Sequence, residues 1–172
     1  MKMKLAFLRI AVMMLSLLLL VPVTAAYSAT AVQAKQLSGK YAEFKQFIVI
    51  RKDLNRLYYY EQGKLVKSFK VATGLKSSYT PKGLFTVHEK VKNRPWYKEK
   101  IPGGDPRNPL GDRWLGLKVT INGKVSYAYG IHGTNNEKSI GKYVSKGCIR
   151  MYNKDVHWLY DQIKTGTPVL IQ

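Results

Sequence analysis

Cys148 is the only cysteine in 172 residues, and His132, one of three histidines, precedes it by a loop able to fold back. A thiol with an imidazole in reach is the pattern of an activated sulfur nucleophile, in which the ring takes the proton and the thiolate attacks an acyl carbonyl. Gly147 lets the chain turn tightly before the thiol, so that the amides of Gly147 and Cys148 are expected to point at a developing oxyanion. Lys146 and Arg150 flank the thiol with positive charge, which lowers its pKa. The second ring nitrogen of His132 needs an acceptor, and the Gly133 carbonyl is the nearest candidate. The pattern suits acyl transfer through a thioester.

A solitary cysteine also admits other roles: a buried apolar residue, an intermolecular crosslink or a metal ligand. Its flanks, Lys-Gly-Cys-Ile-Arg, are charged and flexible rather than apolar. Zinc sites usually show closely spaced ligand pairs, and none is present, so no metal is expected; no cofactor is expected either. Papain-like hydrolases place cysteine before histidine, the reverse of the order here. His88, in a strand-like run, and His157, opposite the apolar stripe of a helix, read as surface or packing residues.

The elements that must position this pair are mostly strands. Residues 44–51, 56–61 and 65–73 form a meander, the third segment alternating with Leu65, Lys67, Phe69 and Val71 on one face. Residues 84–91 make a fourth strand. Residues 113–121 and 124–131 make a hairpin around Asn122-Gly123, a strong two-residue turn signal, and deliver His132 at the strand end. Cys148 to Met151 is extended. Asn153 is a plausible N-cap for a helix over 154–163, with Val156, Leu159, Tyr160 and Ile163 on one side. Residues 168–171 close the chain as a strand. The stretch 93–111 is rich in proline and glycine, and loops of that length usually work as lids or binding surfaces. Its aromatic residues Trp96 and Tyr97, with Trp114, either pack over a cleft or pin the loop to the sheet.

The formal net charge is +19 at pH 7, to which Lys2, Lys4 and Arg9 contribute three. Those three form a basic leader to an apolar run, 10–21, which is short for a membrane span and carries the small residues of a secretory signal after it. Residues 1–31 are expected to be a signal peptide cleaved between 25 and 34, with membrane attachment only if it stays uncleaved. A connector follows over 32–43 and a single domain over 44–172. Outside the cytoplasm the polyanions that such a charge attracts are wall polymers and lipid headgroups rather than nucleic acid.

Gly-Ile-His132-Gly-Thr134, Ser139-Ile-Gly141 and Ser145-x-Gly147-Cys148-Ile-Arg150-Met resemble the L,D-transpeptidase catalytic domain, also called the YkuD fold. Thr80-Pro-Lys-Gly-Leu-Phe, the Leu57-Tyr-Tyr-Tyr hairpin with Gly63-Lys-Leu-Val, and Asn108-Pro-Leu-Gly with Trp114 extend the resemblance from about Phe44 to Gln172. It implies a mostly β, sandwich-like mixed sheet with one helix after the cysteine. It also implies a bacterial wall enzyme, needing no metal and inhibited by carbapenems. Its substrates are peptidoglycan tetrapeptide stems: it releases D-alanine and passes the acyl group to a neighbouring stem amine. By matched position Cys148 is the nucleophile, His132 its base and Gly133 the orienting carbonyl. Ser145, Gly147 and Arg150 shape the site, and Trp96, Asn108, Trp114 and Thr134 lie on the substrate side. Many members carry histidine where this chain has Lys146. An L,D-carboxypeptidase, with water as acceptor, and a non-catalytic wall-binding module are the alternatives.

Overall fold

The computed structural model describes residues 37 and 39–172, so the expected signal peptide and most of the connector lie outside the described residues. The strands are β1 (Gln46–Arg51), β2 (Arg56–Glu61), β3 (Lys64–Lys70), β4 (Thr73–Gly74), β5 (Gly83–Lys92), β6 (Arg113–Ile121), β7 (Lys124–His132), β8 (Tyr143–Ser145), β9 (Ile149–Arg150) and β10 (Pro168–Ile171). The one α-helix among the described residues is α1 (Asn153–Gln162). Eight strands form a mixed sheet in the order β3-β2-β1-β10-β5-β6-β7-β9, and β4 pairs with β8 apart from it. Neighbours in the large sheet are antiparallel except β1 with β10 and β7 with β9.

Turn chemistry sets the hairpins as expected. Asn122 and Gly123 both have positive φ, 49° and 74°, as do Gln62 and Gly63, 47° and 74°. Two successive left-handed residues match the twist of the flanking strands. The expected strand 65–73 is shorter, because the chain leaves β3 after Lys70. Val71 N–H donates to the Asn55 carbonyl, and Ala72 exchanges both backbone hydrogen bonds with Arg150, at 2.9 and 3.0 Å. The same segment therefore closes the meander and braces β9 on the side away from β7.

The main core is built from Ile48, Ile50, Leu57 and Tyr59 of β1 and β2, Val87 of β5, Leu115 and Leu117 of β6, Ile131 of β7 and Ile149 of β9. Val156 and Leu159 of α1, with Ile163 after it, cover them. The other face of β1 is buried as well, where Phe47, Val49 and Tyr60 pack with Leu37 and Tyr41. This accounts for the unbroken apolar run 47–50, since a strand covered on both faces does not alternate. Because α1 holds β6 and β7 from the core side, Leu159→Ala should cost about 2–5 kcal/mol. Urea unfolding of the full chain would measure it, and an unchanged midpoint would contradict this packing.

Candidate active site

Ile131 pairs with Ile149 and His132 with Arg150 in the parallel ladder of β7 and β9. Side chains alternate along a strand. With Ile131 and Ile149 turned into the core, Gly130, His132, Cys148 and Arg150 share the opposite face. Trp114 is the antiparallel partner of His132 and Gly116 that of Gly130, and Glu89 of β5 lies opposite Gly116. One sheet face thus gathers Glu89, Trp114, His132, Cys148 and Arg150, with His132 the diagonal neighbour of Cys148.

The turn into Cys148 is held from three sides. Ser145 Oγ donates to the Cys148 carbonyl at 2.6 Å and accepts from Gly147 N–H at 3.0 Å. Thr80 Oγ1 donates to the Gly147 carbonyl at 2.9 Å and accepts from Gly74 N–H at 2.9 Å. The buried Lys52 fixes Thr80 in turn, donating to the Thr80 carbonyl and to that of Ser77. Gly147 has φ 140°, and a Cβ there would sit 2.7 Å from the Tyr79 carbonyl oxygen and 2.8 Å from the Tyr129 ring. Only glycine fits this position.

His132 is 3% exposed. Its Nδ1 lies 2.6 Å from the Gly133 carbonyl. A carbonyl only accepts, so Nδ1 carries the proton and Nε2 keeps its lone pair. Burial lowers the imidazole to about 4; the Gly133 carbonyl opposes this, Arg150 adds to it and the Leu110 carbonyl opposes it. The ring is neutral at pH 7. Burial also pushes the Cys148 thiol up, against the Gly130 amide and the cations Arg150 and Arg94. The thiol itself points to the Ala128 carbonyl at 3.6 Å. The pair rests as neutral thiol and neutral imidazole, which corrects the expectation of a thiol lowered by its flanking charges: desolvation outweighs them.

Other expectations on this site change too. The Gly147 amide, expected to be an oxyanion donor, is spent on Ser145 Oγ. Lys146 is exposed, because Ser145 and Gly147 on either side of it turn inward. The cations that act on the thiol are Arg150 and Arg94. Asn108 is 1% exposed, and its amide is consumed inside the long loop by the carbonyls of Arg94 and Pro102 and by Leu110 N–H. Thr134, 1% exposed, is likewise inward, its Oγ1 accepting from Asn136 N–H. Neither is free to meet a substrate. Asn153 occupies the first turn of α1, but the cap residue is Tyr152 and the Asn153 side chain bonds elsewhere.

The aromatic residues divide. Trp114 is buried and stacks on His132 with centroids 5.5 Å apart and planes at 19°. It lies over Gly130, where a Cβ would come within 2.6 Å of the indole. Trp96 is half-buried and closes a small loop with Ile101, whereas Tyr97 is 70% exposed. Sequence reasoning missed Glu89 and Arg94. Glu89 Oε1 accepts from Trp114 Nε1 at 3.0 Å and from Arg94 Nη1 at 2.7 Å, and the Arg94 guanidinium lies 4.6 Å from the Trp114 ring centroid. An acid on a half-buried strand of so basic a chain was the available signal. His157, expected to be a surface or packing residue, contacts both Asp112 oxygens at 2.6 and 2.8 Å, tying α1 to the end of the long loop. His88 packs edge-on against Tyr127.

The chain is similar to known proteins in sequence and in fold. Residues 45–171 match the model of the L,D-transpeptidase catalytic domain. The candidate L,D-transpeptidase YqjB of Bacillus subtilis is 44% identical over 125 residues, 73% of this chain and 70% of that protein. YkuD of the same species, also a candidate L,D-transpeptidase, is 42% identical over 108 residues, and this chain spans only 54% of its length. Among solved structures, a cysteine-to-serine variant of the Enterococcus faecium L,D-transpeptidase superposes with TM-score 0.58 at 22% identity, over 75% of this chain and 50% of that one. The catalytic domain of an E. faecium L,D-transpeptidase acylated by ertapenem superposes with TM-score 0.55 at 22% identity, over 74% and 97%. At that identity the superpositions speak for the fold, which is the mixed sheet with one helix expected from the sequence. The chain belongs to the L,D-transpeptidase catalytic domain family.

Proposed function

We propose that the protein is an exported L,D-transpeptidase that forms a thioester between Cys148 and peptidoglycan stem peptides. The observation that carries this reading is the common face of Cys148 and His132, with Nδ1 committed to the Gly133 carbonyl and Nε2 left to take a proton. Cys148 Sγ attacks the carbonyl of the residue before the terminal D-alanine, forming the S–C bond as its proton passes to His132 Nε2. Collapse of the tetrahedral adduct breaks the C–N bond, and the imidazolium returns the proton to the departing amine. A stem amine then attacks the thioester, gives its proton to His132 and displaces the thiolate, which is reprotonated.

A neutral resting pair suits this cycle, because charge develops only when the acyl group is present and Arg150 and Arg94 can meet it. With the Gly147 amide engaged, the Cys148 amide is the remaining backbone donor of that turn for the oxyanion. Export is supported by the basic leader and apolar run of residues 1–21, and retention at anionic wall polymers by the net charge.

Intact-mass spectrometry after exposure to a disaccharide tetrapeptide, and separately to ertapenem, should show an adduct that is absent from Cys148→Ala. A wild-type protein that takes up neither label is a binding module and not this enzyme. Dimeric stems among the products mark an amine acceptor, and trimmed monomers mark water.

Lys146→Ala should change the acylation rate less than about 3-fold, since an exposed charge is well screened. Arg150→Ala should slow it roughly 10-fold or more by removing a cation from the reacting centre. Stopped-flow acylation would rank the two, and the reverse order would contradict the site described.

The His132 imidazole is held at about 4, below the ordinary 6.5. The unfolded chain therefore binds this proton first as pH falls. The linked stability is full above about 6.5 and is lost on the way down to about 4, a loss of roughly 3 kcal/mol. His132→Gln should lose less stability than wild type between those limits. Urea midpoints across pH would show it, and parallel profiles would contradict it.

A further inference from the structure

The side chain of Asn153 reaches back across the site to the loop that follows His132. Its Oδ1 accepts from Thr134 N–H at 2.9 Å and its Nδ2 donates to the Thr134 carbonyl at 3.0 Å. Both backbone polar groups of Thr134 are thus held by a single amide, on a residue that is itself half-buried. The fit is close: a Cβ on Gly133 would run into Asn153 Oδ1, and one on Gly111 would sit 2.6 Å from it and 2.9 Å from the Gly133 carbonyl carbon. Gly111 also has φ 64°, a conformation suited to glycine. Two glycines from separate loops therefore open a slot that the Asn153 amide fills.

What this amide holds is the peptide whose carbonyl faces the imidazole. Gly133 O lies 2.6 Å from His132 Nδ1, and Thr134 N belongs to that same peptide unit. A hydrogen bond to Thr134 N–H fixes the plane of the unit, and with it the direction of the Gly133 carbonyl. On the other side Gly133 N–H donates to the Arg113 carbonyl at 3.3 Å. The first turn of α1 follows directly on β9 and Cys148, so the element that carries the thiol also carries the amide that aims the base.

We propose that Asn153 is a positioning residue that sets the tautomer and orientation of His132 by clamping the Gly133–Thr134 peptide. The consequence for catalysis rests on the thioester reading above, but the state of the ring does not. With the clamp in place the proton sits on Nδ1 and Nε2 is the base. Without it the carbonyl turns away and the Nε2–H form becomes populated, which blocks proton uptake from the thiol.

Ring-nitrogen chemical shifts of His132 in the isotope-labelled full chain read the tautomer directly, without substrate. Wild type should be in the Nδ1–H form. Asn153→Ala should show a substantial Nε2–H population and acylate with ertapenem roughly 10- to 100-fold more slowly, the scale expected for a misdirected catalytic group. Asn153→Asp keeps an acceptor for Thr134 N–H but loses the donor, and should fall between the two. It also serves if the alanine variant does not fold. Gly133→Ala should reproduce the Asn153→Ala tautomer by expelling the amide, and Gly133→Ala with Asn153→Ala should be no worse than either alone. A wild-type tautomer in the folded Asn153 variants overturns the proposal, as do losses that multiply in the double variant. If wild type never acylates, the thioester reading fails while the ring-nitrogen shifts still decide the role of Asn153.

Discussion

Two residue pairs in one short parallel ladder carry the whole arrangement. Ile131 with Ile149 and His132 with Arg150 set the parity of β7 against β9, and a slip of one residue would turn Cys148 into the core and Ile149 out of it. So short a ladder does not hold itself. Its register is secured by burial of both isoleucines in the main core, by the backbone exchange between Ala72 and Arg150, and by α1 lying behind β6 and β7. The meander at the far end of the sheet thereby reaches the site, because the segment that leaves β3 is the one that braces β9.

Electrostatics at the site follow from the same burial. A ring 3% exposed is costly to charge, and a thiol beside it is costly to ionise. Arg150 and Arg94 do not overcome that for the thiol, yet they stand ready to stabilise the anionic centre that forms on attack. Arg94 is itself restrained by Glu89, which also accepts from the Trp114 indole stacked on His132. One carboxylate therefore ties a cation on the thiol's side to the aromatic bed of the base. Gly130 makes room for that indole, and Gly147 for the turn into Cys148.

Much of this was legible in the residues. The Asn122-Gly123 turn located β6 and β7 and put His132 at a strand end, alternation located β3, and the stripe of Val156, Leu159 and Ile163 located α1. The lone cysteine after a glycine marked the other half of the pair. What was not legible depended on partners far away in the chain. Strands β4 and β8, two and three residues long, are too short to show a period and exist only through their pairing with each other. Lys146 looked like the thiol's cation by proximity in sequence, but the parity of its turn sends it to solvent, and Arg94, more than fifty residues upstream, takes that place. Asn153 carries the signature of a helix cap, which its side chain could have been had Thr134 not been in reach. Asn108 and Thr134 fell on matched motifs, yet their polar groups serve the loops that they stand in.

The central claim is that the site rests uncharged, a thiol and an imidazole on one face of the sheet, and separates charge only when an acyl group arrives. The ultraviolet absorbance of the thiolate, followed against pH as wild type minus Cys148→Ser, tests it most directly. No thiolate band should appear until pH rises past the ordinary cysteine range. A full band at neutral pH that vanishes only on acidification would reveal a preformed thiolate–imidazolium pair and contradict the account.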